Sequence, residues 1–192
     1  EAAKAIRRKL HIDIRACVIG HVGRFHPQKN HEFLIDIFYE FLKHHPESIL
    51  LLVGDGSERA AIRRKINRLG ISSHVCFTGS RGDVPDLLQA MDVFVFPSHY
   101  EGLGISIVEA QGGCLPCLIS DTIPAECIVT KHLVARYDLK KTPDAWAEKI
   151  TSLLHLPRKD RTDEIRQAGY DLAQAAEKLE TFYAEAKRRN RS

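Results

Sequence analysis

Six short apolar runs, separated by stretches whose apolar residues recur with helical spacing, restrict this 192-residue chain to very few architectures. Residues 17–22 (CVIGHV), 49–53, 75–78 and 93–96 read as strands, and two further short ones follow at 118–120 and 133–136. Runs without polar alternation suit parallel strands covered on both faces. Between them, Phe33, Leu34, Ile37, Phe38, Phe41 and Leu42 mark a helix over 31–44. Ile62, Ile66 and Leu69 mark another, which Ser57 is placed to cap and Gly70 to stop. Further helices are predicted over 84–91, near 105–111, and from Pro143 through Trp146, Ile150 and Leu154, proline being suited to a helix start. Strands alternating with helices across short loops predict an α/β fold, a doubly wound parallel sheet of about six strands flanked by helices. Ligands of such sheets bind beyond the carboxyl ends of the strands.

The length fits one domain over 1–192, with a core at about 15–155 and a C-terminal helical segment at about 156–192, and 44% hydrophobic residues suffice for a packed interior. No apolar run approaches the roughly 20 residues that span a bilayer. Residues 1–15 carry basic side chains with no apolar segment after them, so a retained signal peptide is not expected and a cytoplasmic setting is. A net charge of +3 gives no reason to expect nucleic acid. Lys4, Arg7, Arg8 and Lys9 open the chain and Lys187, Arg188, Arg189 and Arg191 close it, leaving two readings open: solvated helix ends, or peripheral contact with an anionic membrane surface. Cys17, Cys76, Cys114, Cys117 and Cys127 are expected to be reduced thiols; the CxxC at 114–117 has no second ligand pair, so no metal is expected. Over 161–189, Ile165, Leu172, Ala175, Leu179, Phe182 and Ala186 form a helical stripe long enough to meet either its own sheet or an outside partner, unless Gly169 divides it.

The residues that carry chemistry follow the strands. Gly23-Arg24 ends the first strand, and Lys29-Asn30 precedes the next helix. A glycine admits a ligand to the backbone, and two cations beside a helix N-terminus outline a phosphate site. Glu101-Gly102-Leu103-Gly104 follows the fourth strand, with Ile105 opening a helix that carries Glu109. Glycines at a helix start expose N–H groups to an anion, while two carboxylates facing one pocket suit hydroxyl donors such as those of sugars.

These pieces, VGRFHPQKNH at 22–31, LLVGDG at 51–56, FTGSRGDVPDLLQAMDVFVFPSHYEGLGISIVEAQ at 77–111 and LPCLISDTIPAE at 115–126, resemble in order the C-terminal domain of the large retaining GT-B glycosyltransferase family usually numbered four. The two glutamates with seven residues between them are the most specific part. WAEKI at 146–150 and the C-terminal helix resemble the branch that builds bacterial capsular or exported polysaccharide. The resemblance implies one Rossmann-like half of a GT-B enzyme that transfers a hexose-type sugar from a nucleoside diphosphate, UDP-linked, to a glycan or lipid-linked acceptor. It implies no metal, and an acceptor-binding N-terminal domain outside residues 1–192. By the same resemblance Arg24 and Lys29 hold the diphosphate, Glu109 the ribose and Glu101 the sugar. Gly23, Gly102 and the N–H groups of Leu103, Gly104 and Ile105 line the donor, and Ser80-Arg81 lie near the base. Glu101 is left either a nucleophile or an orienting group. Where the family has glycine before LP this chain has Cys114, and Gly113 is expected to supply the special backbone angles.

Rival readings fare less well. GxGxxG is absent between the first strand and helix, and no GxxxxGK[ST] occurs anywhere. A sugar-nucleotide epimerase offers no reason for the paired glutamates, and a non-catalytic nucleotide-sugar module remains the alternative of a different class.

Overall fold

Why these runs are continuous is clear from the computed structural model, which describes residues 2–170. The elements run α1 (Ala2–Lys9), β1 (Val18–Val22), α2 (His31–Leu42), β2 (Ile49–Val53), α3 (Arg59–Arg68), β3 (Val75–Gly79) and α4 (Val84–Gln89). Then follow β4 (Val93–Phe96), α5 (Ile105–Gly112), β5 (Cys117–Ser120), β6 (Val134–Tyr137), α6 (Pro143–Leu153) and α7 (Thr162–Gln167). Successive strand residues serve opposite cores. Leu51 and Val53 pack with Phe94, Phe96, Ile107 and Ile119 on one face, and Leu50 and Leu52 with Val93, Val95, Phe38 and Trp146 on the other. Both faces of β1, β2, β4 and β5 are therefore largely dry, with His21 and Ser120 buried among apolar neighbours, while the edge strands β3 and β6 are only partly buried.

The six strands form one parallel sheet in the order β3-β2-β1-β4-β5-β6. The chain winds outward from β1 through β2 to β3, then returns to place β4 against the other edge of β1, with Ile19 beside Val93 and Gly20 beside Phe94. This is the Rossmann order, and the reversal between β1 and β4 opens a crevice at their carboxyl ends. The loops that leave β1 and β4 carry most of the residues singled out by sequence.

Arg7 is not a solvated helix end: it is 8% exposed, and its guanidinium donates to the carbonyls of Ala90, Ile14 and Ala16 at 2.9, 3.1 and 3.0 Å and to Asp92 Oδ2 at 2.7 Å. Asp92 Oδ2 also accepts from the Val18 amide at 2.7 Å, so one ion pair ties α1 to the starts of β1 and β4. Arg8 and Lys9 remain exposed.

Ser57 does not cap α3. The residue before the helix is Glu58, in a helical conformation and without a side-chain cap. The C-terminal stripe is described only as far as α7, after which Gly169 takes φ +86. Leu172, Ala175, Leu179, Phe182 and Ala186, and the basic cluster at 187–191, lie outside the described residues. Among the described residues no helix is long and apolar enough to cross a membrane.

The turn after α5 is also corrected. Gly113 has φ −78, and the left-handed residue is Cys114 itself, at φ +56. Cys114 N donates to Gln111 O at 2.9 Å and Leu115 N to Ala110 O at 3.0 Å, the bond pair of a Schellman motif. Because α5 ends at Gly112, the position that needs left-handed angles falls on residue 114 and not on 113. A non-glycine residue pays about 1–2 kcal/mol there, and glycine's greater freedom in the unfolded chain offsets roughly 0.5–1 kcal/mol of the relief. Cys114→Gly is thus expected to raise the melting temperature by about 2–4 °C in a thermal scan; a lower melting temperature would refute this account of the turn.

Candidate functional site

The loop after β1 is held by the loop after β2. Gly23 N donates to Val53 O at 2.9 Å, Phe25 N to Asp55 O at 3.0 Å and Glu58 N to Phe25 O at 3.2 Å. The approach is so close that a Cβ at Gly54 (φ +136) would lie 2.1 Å from Gly23 O, and one at Gly56 would lie 2.4 Å from Phe25 O. The VGDG segment is therefore a bed for residues 23–25. On it stands Arg24, exposed, with neither a hydrogen bond nor an ion pair to any described residue. Phe25 turns inward and is fully buried.

The chain then makes a short 3-10 turn, Pro27–Lys29, and Asn30 takes φ +54 before α2 begins. This turn is fastened to the loop after β4: Gln28 Nε2 donates to Tyr100 O at 2.8 Å, and His99 N to Gln28 O at 2.9 Å. Lys29 and Glu101 meet between them. Lys29 Nζ lies 2.8 Å from Glu101 Oε1 and 2.9 Å from Oε2, with the side chains only 17% and 6% exposed. The ammonium also sits 4.7 Å from the centre of the Phe96 ring. Beyond Glu101, Gly102 and Leu103 are exposed, Gly104 takes φ +62 as the cap of α5, and Ile105 is exposed. The amides of Leu103, Gly104 and Ile105 make no hydrogen bond to another described residue and lie at the positive end of α5.

Glu109 follows the exposed Ile105 one turn along α5 and lines a recess beside α4 with Pro85, Leu88, Gln89, Gly112 and Gly113. Ile107, Val108, Ala110 and Gln111 take the buried faces of α5, which leaves Glu109 the outer one. Partial burial raises its carboxyl above the ordinary range. Ser80 and Arg81 lie exposed after β3, near the start of α4. Arg81 is already engaged, with Nε 2.7 Å from Asp83 Oδ1 and Nη2 2.6 Å from Oδ2.

Residues 1–172 match the family described as glycosyl transferases group 1. The chain belongs to that family. Its similarity to the putative glycosyltransferase EpsF of Bacillus subtilis is 36% identity over 169 residues, 86% of this chain and 44% of the relative. The UDP-Gal:alpha-D-GlcNAc-diphosphoundecaprenol alpha-1,3-galactosyltransferase of Escherichia coli is 28% identical over 171 residues, 84% of this chain and 44% of the relative. The chain thus spans less than half the length of these relatives. Anabaena Alr3699/HepE, solved with UDP and glucose, superimposes with a TM-score of 0.69 at 25% identity over 91% of this chain and 46% of that one. The C-terminal domain of LpcC from Francisella tularensis shares the fold with a TM-score of 0.67 at 20% identity, over 81% of this chain and 87% of that domain. The Rossmann-like sheet is thus that of one half of a GT-B enzyme.

Within this group 1 glycosyl transferase fold, three buried polar residues support the site although sequence analysis had not singled them out. His21 Nδ1 donates to Val95 O at 2.9 Å, while its Nε2 and both ring nitrogens of His31 are buried without a partner. The two imidazoles meet edge to face at 4.6 Å, His31 stacks on Phe25 at 4.2 Å and His21 on Phe96 at 4.9 Å, directly under Gly23 and Lys29. Burial drives the His21 pKa down to about 4 and that of His31 to about 2. Gln111 donates to Ile107 O and Cys127 O, and accepts from Val129 N, Thr130 N and Thr130 Oγ1, fixing the segment after β5 against α5. The signal was present in each case: His21 and Gln111 stand inside an otherwise apolar strand or helix, and His31 opens the helical stripe that Leu34, Ile35 and Phe38 continue.

Proposed function

We propose that this chain is the donor-binding domain of a retaining glycosyltransferase of polysaccharide biosynthesis, which takes a hexose from a uridine diphosphate sugar and passes it to a glycan or lipid-linked acceptor held by a second domain. One observation carries the reading: the loop after β1 bears Arg24, a cation without a partner among the described residues, and the loop after its neighbour β4 leads to the amides at the start of α5, also without a partner among those residues. A cation and free N–H groups converging on one crevice are arranged for an anion. The UDP and glucose bound in HepE are consistent with this, as is the UDP-Gal in the name of the E. coli relative.

In this reading the β-phosphate gains charge as the glycosidic bond breaks, and Arg24, Lys29 and the amides of Leu103, Gly104 and Ile105 stabilise that charge where it develops. Such a cluster does the work of a cation, so no metal is required. Glu109 accepts from the ribose hydroxyls in its recess beside α4, with the base toward Ser80 and Arg81. Glu101 accepts from sugar hydroxyls. Both of its oxygens lie within hydrogen-bond distance of Lys29, so their lone pairs are engaged by the ammonium, which favours an orienting role over attack on the anomeric carbon. Retention then follows from same-face attack assisted by the leaving phosphate.

Titration calorimetry of the 192-residue chain with uridine diphosphate in the presence of a chelator tests the reading. Binding is expected in the micromolar to millimolar range, about −8 to −4 kcal/mol, and undiminished by the chelator. Binding that appears only with a divalent cation, or no binding at all, would remove the basis for this site.

A further inference from the structure

The bidentate pair between Lys29 and Glu101 poses a problem for the donor site, because the lysine assigned to the diphosphate is already occupied. The pair is shielded from solvent and hence little screened by salt. The lysine stem runs beside Gly23, where a Cβ would lie 3.4 Å from Lys29 Cδ and Cε, and the ammonium rests over Phe96. The two loops do not depend on the pair for their spacing, since Gln28 binds both His99 and Tyr100.

We propose that Glu101 discriminates between the sugar-bearing donor and the spent nucleoside diphosphate, by holding Lys29 whenever no sugar is present; the inference rests on the donor reading above. A diphosphate entering the crevice competes with Glu101 for the same ammonium. When a sugar is attached, its hydroxyls donate to the displaced carboxylate and compensate the lost pair. When the sugar has gone to the acceptor, the displaced carboxylate is left buried without a partner, which is costly. The pair re-forms at the expense of the Lys29–phosphate contact, and the nucleoside diphosphate is released. Glu101 thereby acts twice, orienting the sugar before transfer and weakening product binding after it.

Calorimetry and stopped-flow dissociation with uridine diphosphate and with UDP-glucose, on wild type, Glu101→Gln, Lys29→Met and the double variant, test this. Glu101→Gln is expected to bind uridine diphosphate about tenfold more tightly or better, with slower dissociation, while UDP-glucose gains less or weakens. In the Lys29→Met background the gain from Glu101→Gln is expected to vanish, as a coupling through one pair requires. Unchanged affinity of Glu101→Gln for uridine diphosphate overturns the proposal. So does a gain that persists with Lys29→Met, since it would reflect only the removal of a negative charge from an anion site. Wild-type protein that binds neither ligand overturns the donor reading and this inference with it. Thermal scans report whether each variant is folded, and Glu101→Ala repeats the comparison if the glutamine variant is not.

Discussion

If this chain is the donor-binding domain proposed above, Arg24→Ala is expected to lower sugar transfer about 10²–10³-fold in a protein that joins it to a second, acceptor-binding domain, while leaving the melting temperature nearly unchanged. The two halves of that expectation have separate causes. Stability is spared because the Arg24 side chain touches nothing that holds the fold: it is exposed and has no partner among the described residues. The loop beneath it is fixed by backbone bonds from Gly23 and Phe25, which survive the substitution. Transfer suffers because a preorganised charge contributes most where negative charge develops, and alanine leaves the leaving phosphate with Lys29 and the α5 amides alone. The loss is expected in kcat as well as in donor affinity, since the β-phosphate carries more charge in the transition state than in the bound donor. Initial rates at saturating donor, compared with thermal scans of the same preparations, decide the matter. A loss of less than tenfold would mean that the diphosphate is held elsewhere.

The arrangement was legible from sequence to different depths. The strands were readable almost to the residue: 93–96 and 49–53 without error, because a strand dry on both faces is one apolar run, and 133–136 displaced by one from the partly exposed edge strand β6 (Val134–Tyr137). Glycine and cation positions after β1 and β4 were readable for a related reason: the fold sends those loops to one crevice. Pairings across the chain were not. Lys29 and Glu101 are 72 residues apart, and Arg7 and Asp92 are 85 apart. Each looked like a solvated or ligand-facing charge until β1 and β4 were neighbours. Glu109 was placed on the right helix, but its outer face is decided by which of its neighbours the sheet buries. The left-handed turn was misplaced by one residue, from Gly113 to Cys114, because composition points to glycine whereas the motif counts from the last helical residue.

Acidification is expected to destabilise this domain through His21 and His31, and the sign follows from their burial. Both are neutral in the folded protein, with pKa values lowered from 6.5 to about 4 and about 2 by loss of solvation, reinforced by the Lys29 charge beside them. In the unfolded chain each binds a proton near pH 6.5, so above that value the pair adds no pH dependence. As the pH falls below it, the unfolded state takes up protons that the folded state excludes, and stability declines until the folded values are reached. At pH 5 the loss is about 2 kcal/mol for each histidine and about 4 kcal/mol together, a large part of the 5–15 kcal/mol that holds a typical domain. His31→Phe removes one of the two titrations and replaces two unpartnered ring nitrogens by carbon, in a place already stacked on Phe25. Urea midpoints at pH 7.5 and 5.0 should therefore separate by about half as much in His31→Phe as in wild type. The variant should also be no less stable than wild type at pH 7.5, since an unsatisfied buried polar group costs roughly 1–3 kcal/mol. If the wild-type midpoint does not move between the two pH values, the imidazoles have found partners in solution, and the histidine pair under Lys29 is not the neutral, unsolvated couple described above.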